Sequence, residues 1–390
     1  MKGNKNHLLL IGISYLAFIS LGLPDGLLGI SWPFMSEKLG IPIDSLGVLL
    51  IIFMVGYLSA SSVSGKILAI MPLGFLLAAS CAVTGISLLL FAYSNYWFLV
   101  IIASFFLGSG GGAIDASINI FAASKFSVSV VNWLHAFYGI GATSGPFIVT
   151  WLLVQNQKWH YGYIAVGVVQ LTLAFIFLLT VKYWKFSSEN NQTQNLGSFA
   201  EAFRLPFLWI TILIFFIYTG LEIGVGQWIF TVLTKSRGVN IERAGLLTSA
   251  YWGSLTVGRI IFGFVLTRIK IHHAMITALT SIVIGTILLA INYNDLISSI
   301  GIVLIGFSNA PIFPCLISMT PTQVGERHSA NIIGFQISAA MIGGALLPAF
   351  SGLLTNYFGW EIIPIVYVME AILLLALYII SSRKYKKLIV

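Results

Sequence analysis

The chain has 390 residues, 58% of them hydrophobic and only 8% charged, where a soluble domain carries about 25% charged residues, and its mean hydropathy is +0.97. A soluble fold of this length could not hide so much apolar surface, so the sequence predicts an all-α integral membrane protein solvated mostly by lipid. The 20 basic and 12 acidic residues leave a net charge of +8, but the basic residues are scattered through short loops rather than gathered on one face, which excludes a nucleic-acid partner.

A spanning helix needs roughly 20 apolar residues. Runs of that size lie near 8–34, 46–70, 73–93, 96–121, 128–154, 161–184, 207–234, 243–268, 272–293, 296–320, 328–356 and 361–382. The first is too long for the apolar region of a signal peptide and no A-x-A-like cleavage site follows it, so it reads as a retained helix. Most connections are short, which favours antiparallel neighbours. The exception is 185–206, with the polar stretch SSENNQTQN. It divides the twelve helices into halves at 1–184 and 207–390. Cys81 and Cys315 both lie in apolar runs and read as small buried hydrophobes.

Loop charge sets orientation. With the N-terminus in the cytoplasm, only Lys38, Lys158, Lys235, Arg237 and Arg243 of the basic residues fall outside, and Arg259 lies within a helix. Both termini are therefore expected in the cytoplasm, as an even helix number requires. Asn191-Gln192-Thr193 has the form of a glycosylation acceptor but falls on the cytoplasmic side.

The halves repeat at an offset near 197. GLPDGLLGISWPF (22–34) resembles TGLEIGVGQWIF (219–230), setting Asp25 on Glu222 and Gly29 on Gly226. Gly56-Tyr57-Leu58-Ser59 falls on Gly253-Ser254-Leu255-Thr256, Gly108 on Gly306, and Gly141-x4-Pro146 on Gly343-x4-Pro348. Parallel halves related by an axis along the membrane normal place a binding site near the midplane between them.

Six ionisable residues stand out inside the predicted helices: Asp25, Asp115, His135, Glu222, Arg259 and Glu370. Each costs a few kcal/mol or more in lipid and is a functional hypothesis by default. At about 1.5 Å rise per residue, Asp25 and Glu222 lie roughly 22–26 Å in from the cytoplasmic side. Pro24 is expected to break the first helix beside Asp25. Asp115 and His135 flank the turn at Lys125 symmetrically and share a level nearer the cytoplasm with Arg259. An Asp115–Arg259 bridge between the halves is one reading, coupling chemistry at Asp115 another. Glu370 is expected to make a packing or membrane-surface polar contact. GSGGGAID (108–115) lacks the Lys-Ser/Thr of a phosphate loop, and its glycines, like Gly139, Gly141 and Gly145, read as close-packing surfaces. No metal-ligand spacing and no nucleophile–base arrangement is visible, so neither cofactor, metal nor enzymatic activity is expected.

Over essentially its whole length the sequence resembles the major facilitator superfamily, and within it looks most like the fucose-permease branch of sugar transporters driven by protons or sodium. The segments that carry the resemblance are DGLLGISWP (25–33), DASIN (115–119), NWLHAFYGIGATSGP (132–146), YTGLEIGVGQW (218–228) and GRIIFGFVLTR (258–268). The family's acidic loop after the second helix is altered: Ala69 stands at the acidic position, and Thr267 in the second-half counterpart.

The resemblance implies a central sugar site with acids in helices 1 and 4, which Asp25 and Asp115 match; Asn119 keeps the acid-x3-Asn pattern and Glu222 a YxGxE pattern. Asp25, Asp115, Glu222 and His135 are then the proton-coupling candidates, because low dielectric favours a neutral carboxyl and water an ionised one. Asn119, Gln227, Asn309, Asn331 and Gln336 could meet hydroxyls, and Trp32, Trp228 and Tyr138 could face a sugar ring. Arg259 is the gating candidate. The leading expectation is a monomeric, multi-pass transporter of the cell membrane that moves a sugar-like metabolite with a proton or sodium ion. The alternative is a proton-driven exporter of drugs or amphipathic metabolites; a receptor or lipid-modifying enzyme would need a soluble domain or reactive constellation that the sequence does not show.

Overall fold

A computed structural model describes residues 2–184 and 199–385. These form helices throughout, with no strand among the described residues. The first six are α1 (Lys2–Leu39), α2 (Leu46–Leu68), α3 (Leu73–Tyr93), α4 (Trp97–Lys125), α5 (Val128–Val154) and α6 (His160–Thr180). After the short α7 (Phe199–Phe203) come α8 (Pro206–Thr231), α9 (Ile241–Val265), α10 (Ile271–Ile291), α11 (Asp295–Asn309), α12 (Ile312–Val324), α13 (Glu326–Phe358) and α14 (Ile362–Tyr385).

Eleven helical stretches among the described residues are long and apolar enough to cross a membrane, with α11 and α12 together forming one of them. The twelfth expected span is α9, whose 25 residues carry Glu242, Arg243 and Arg259 and which is not among the eleven. The tenth expected helix is interrupted at Ala310–Pro311, where the proline ring excludes a continuous α-helical ladder.

α1 corrects a second expectation. It runs unbroken through Pro24. Proline has no N–H to give to the carbonyl four residues earlier, which leaves the Ser20 oxygen without its helical donor. The side chain of Gln170 on α6 supplies one at 3.0 Å, so that oxygen is taken and is not open to a ligand.

The described residues fall into two compact units. One contains α1–α6 and Arg237–Gly253; the other contains α7, α8, α9 from Ser254 onward, and α10–α14. The same helix pairings recur inside each: α1 with α5 and α3 with α6 in the first, α8 with α13 and α10 with α14 in the second.

Lipid gives helices little hydrophobic reason to associate, so close approach must come from small residues. A Cβ on Gly22 or Gly141 would run into the backbone of the facing helix, at Tyr138 and Ile19 respectively, which locks α1 against α5. Gly56, Gly108 and Gly112 do the same between α2 and α4. Gly343 meets the Phe216 backbone between α13 and α8. The glycines of 108–115 and of α5 thus serve as packing surfaces, as their setting in apolar helices indicated.

Candidate functional site

The glycine seams decide which polar groups meet in the first unit. Gly112 lets the backbone of Tyr57 lie directly on α4, one turn from Asp115. The Tyr57 hydroxyl then donates to Asp115 Oδ2 at 2.5 Å, and Asn119 Nδ2 donates to Asp115 Oδ1 at 2.9 Å. The α1–α5 seam works likewise: with Gly22 and Gly141 in backbone contact, the Tyr138 hydroxyl reaches Asp25 Oδ2 and donates to it. The charge on Asp115 reaches Asp25, and Tyr57 feels both acids and Tyr138, so the four side chains form one electrostatic cluster. All of them, with Asn119, are partly buried. Two acids, two phenols and an amide can hold a shared proton, bind a small cation or meet the hydroxyls of a polar ligand.

In the second unit, Glu222 occupies the place on α8 that Asp25 has on α1. Tyr218, one turn earlier, donates to Glu222 Oε2. Arg259 of α9 lies with Nη2 3.5 Å from Glu222 Oε1. The Tyr218 hydroxyl also stands 3.4 Å from the Asn309 carbonyl, which sits where α11 ends. The interruption after Asn309 therefore brings backbone acceptors beside the acid.

The structure corrects several expectations. Arg259 is paired with Glu222 of its own unit, where the sequence had allowed a bridge to Asp115. Trp32 and Trp228 are fully buried packing residues: their indole N–H groups donate to the carbonyls of Ile43 (2.5 Å) and Pro348 (2.8 Å), and their rings lean on Trp97 and Trp360. Neither presents an open ring face. Gln336 is buried against Thr320 at 3.1 Å, within α12 and α13. The His135 ring packs edge-on against Phe18 at 5.7 Å. Asn309 and Gln227 are buried on the second unit and Asn331 is partly buried. Tyr138 acts through its hydroxyl on Asp25. Glu370 is buried inside the second unit, in keeping with the packing half of the expectation.

Tyr57 and Tyr218 were not singled out from sequence. Tyr57 stood in the repeated Gly-Tyr-Leu-Ser segment and Tyr218 opened YTGLE, but tyrosine is common in spanning helices and nothing local distinguished them. Their importance comes from the seams that bring them to the acids.

A bundle of spanning helices in two repeated sets, with carboxylates at matching positions of α1 and α8 that each accept from a phenol, is the architecture of a multi-pass membrane transporter. Comparison with known proteins agrees. The model of the Major Facilitator Superfamily matches residues 14–335 and, in an overlapping match, 232–388. The glucose/mannose transporter GlcP of Bacillus subtilis (strain 168) is 22% identical over 356 residues, spanning 87% of this chain and 86% of its own. Among solved structures, the nucleoside transporter NupG aligns with TM-score 0.76 at 15% identity, covering 96% of this chain and 98% of its own. FucP in the outward conformation aligns with TM-score 0.63 at 14% identity, covering 95% and 99%. The chain belongs to the Major Facilitator Superfamily.

Proposed function

We propose that this protein is a secondary active transporter that carries a sugar or sugar-like metabolite together with a proton, by alternating access. The observation that carries this reading is the cluster of Asp25 and Asp115 with Tyr138, Tyr57 and Asn119. Paired carboxylates inside spanning helices are costly and mark ion pathways. Phenol donors hold each acid in one orientation and can accept its proton's hydrogen bond when it is neutral. The names of GlcP and NupG, a glucose/mannose and a nucleoside transporter, support a hydroxyl-rich substrate, and the resemblance to the fucose-permease branch points the same way.

In this reading Asp25 and Asp115 exchange the coupling proton. Glu222 and Arg259 keep a neutral pair in the second half, and the amides Asn309, Gln227 and Asn331 of that half are proposed to meet hydroxyls. The halves are 1–184 and 207–390, joined by 185–206, with both termini in the cytoplasm of a cell-membrane protein.

The test is uptake of radiolabelled hexoses and nucleosides into proteoliposomes under an imposed proton or sodium gradient. Accumulation driven by the proton gradient, lost in both Asp25→Asn and Asp115→Asn, is the expected result. Accumulation that follows sodium alone, or that survives both substitutions, overturns the assignment. Gradient-driven efflux of hydrophobic dyes with no hexose or nucleoside response would favour an exporter.

A further inference from the structure

The run IIPIVYVMEAILLLALYII of α14 contains a single ionisable carboxylate, Glu370. It is 7% exposed, and neither of its carboxyl oxygens has a hydrogen-bond partner among the described residues. α14 packs mainly on α10, α8 and α13. The titratable groups of those helices whose partners are described face other residues. On α8, Tyr218 donates to Glu222, and Glu222 lies 3.5 Å from Arg259. On α10, His272 Nδ1 lies 3.2 Å from the hydroxyl of Tyr378, two turns along α14 from Glu370, with His273 beside it. On α13, Arg327 and His328 lie against Glu201 at 3.2 and 3.9 Å. On α14 itself, the Tyr367 ring lies over Gly224 of α8.

Two contacts fix its level. Tyr367 meets α8 at Gly224, while Tyr378, Ser381 and Ser382 line a small cavity with Thr211, Ile214 and Phe215. The two helices are therefore antiparallel, and Glu370, one turn beyond Tyr367, stands at about the level of Glu222. Glu222 turns toward α9 and the end of α11. The second unit thus carries two acids at one depth, and only one has a cation and a phenol.

A carboxylate so enclosed, with neither cation nor donor, takes up a proton instead of remaining charged. Even the neutral acid wastes a donor there, and a leucine or methionine would fill the space without that loss. Packing does not account for a glutamic acid at this position, but reversible protonation does.

We propose that Glu370 is a proton-binding site of the second unit, separate from the proposed substrate and coupling cluster, that holds its proton while α14 is packed on α8 and α10 and releases it when water reaches that seam. This goes beyond the transport reading and requires no substrate to test. Purified protein in lipid is titrated from acid to alkaline pH and followed by infrared difference spectroscopy in H2O and D2O. In parallel, the wild type is treated with dicyclohexylcarbodiimide, which modifies protonated carboxyls in apolar surroundings, and the peptide bearing Glu370 is read by mass spectrometry. The expected result is a protonated-carboxyl band absent from Glu370→Gln, exchanging in D2O and lost at alkaline pH, with carbodiimide labelling of Glu370 falling in step. No labelling and no Glu370-dependent band at any pH would mean an ionised group and overturn the proposal. A band that neither titrates nor exchanges would mean a locked structural acid and overturn it as well. The labelling arm uses the wild type, so a variant that fails to fold does not weaken the test.

Discussion

Tyr57 donates to Asp115 at 2.5 Å while Asn119 takes the other carboxylate oxygen at 2.9 Å, so the orientation of that acid is set by two side chains from two helices. Tyr57→Phe removes the donor and keeps the ring that packs near Phe53. A hydrogen bond to a charged group contributes about 1.5–3 kcal/mol, and about 1.4 kcal/mol is tenfold in rate or affinity. Tyr57→Phe is therefore expected to lower kcat/KM for uptake about tenfold or more with little change in the unfolding midpoint. Initial rates in proteoliposomes, measured beside a thermal melt, check this; unchanged uptake would remove Tyr57 from the site.

The Glu222–Arg259 pair allows a different experiment at the same scale. The side chains are 10% and 23% exposed, so water screens the pair only in part. Removing one member of a buried pair costs about 3–5 kcal/mol because the other is left uncompensated, whereas removing both costs far less. Partial exposure brings the expected loss to the lower end of that range. In a double-mutant cycle, Arg259→Gln alone should lower the unfolding midpoint more than Arg259→Gln with Glu222→Gln. Additive effects would mean that the two groups do not depend on each other. The acids and Arg259 were legible in sequence because charge in an apolar run stands out. Their partners were not, since Asp115 and Glu222 lie on different helices and only folding shows which cation or phenol each one meets. The tryptophans were misread for a related reason: an indole beside polar residues looks like a ring platform until its N–H is seen bound to Ile43 or Pro348.

At the scale of elements, helix positions follow from the length of each apolar run, which is why α3 and α5 fall on the expected residues. The behaviour of prolines does not follow so simply. Pro24 leaves α1 continuous because Gln170 on another helix compensates it, while Pro311 ends a helix. Gln170→Leu should leave the Ser20 carbonyl buried without a donor, at a cost of about 1–3 kcal/mol. The variant should fold, melt a few degrees lower and show a local rise in amide exchange in α1 around Pro24. A melt identical to wild type would show that the carbonyl finds another donor. The glycine seams are stricter. A Cβ at Gly141 would overlap the Ile19 carbonyl oxygen, which is backbone and cannot swing aside. Gly141→Val should therefore part α1 from α5 and separate Tyr138 from Asp25, losing uptake even where protein still reaches the membrane.

Across the whole molecule, the repeat was visible in sequence as matched glycines and as Asp25 on Glu222. What it did not show is how differently the two halves use that position. The first-half acid belongs to a cluster with a second acid and two phenols; the second-half acid is bound to an arginine. Duplicated helices kept the acid in place while the residues around it diverged, so equal positions carry unequal chemistry. Glu222 has a fixed cation beside it, because the arginine stays charged at any working pH. Asp25 has a second acid, Asp115, within electrostatic reach, and a phenol donates to each. Coupling is therefore expected from the first half, and the second-half pair is expected to hold structure and meet substrate. The contrast is measurable with one labelled substrate in two modes, gradient-driven accumulation and exchange without a gradient. Asp115→Asn should abolish accumulation and retain exchange, since the substrate can still cross while the proton no longer moves with it. Glu222→Gln combined with Arg259→Gln should slow both modes together and leave accumulation above the exchange level. The opposite pattern, with accumulation surviving Asp115→Asn and vanishing in the second-half double variant, would move the coupling site to Glu222.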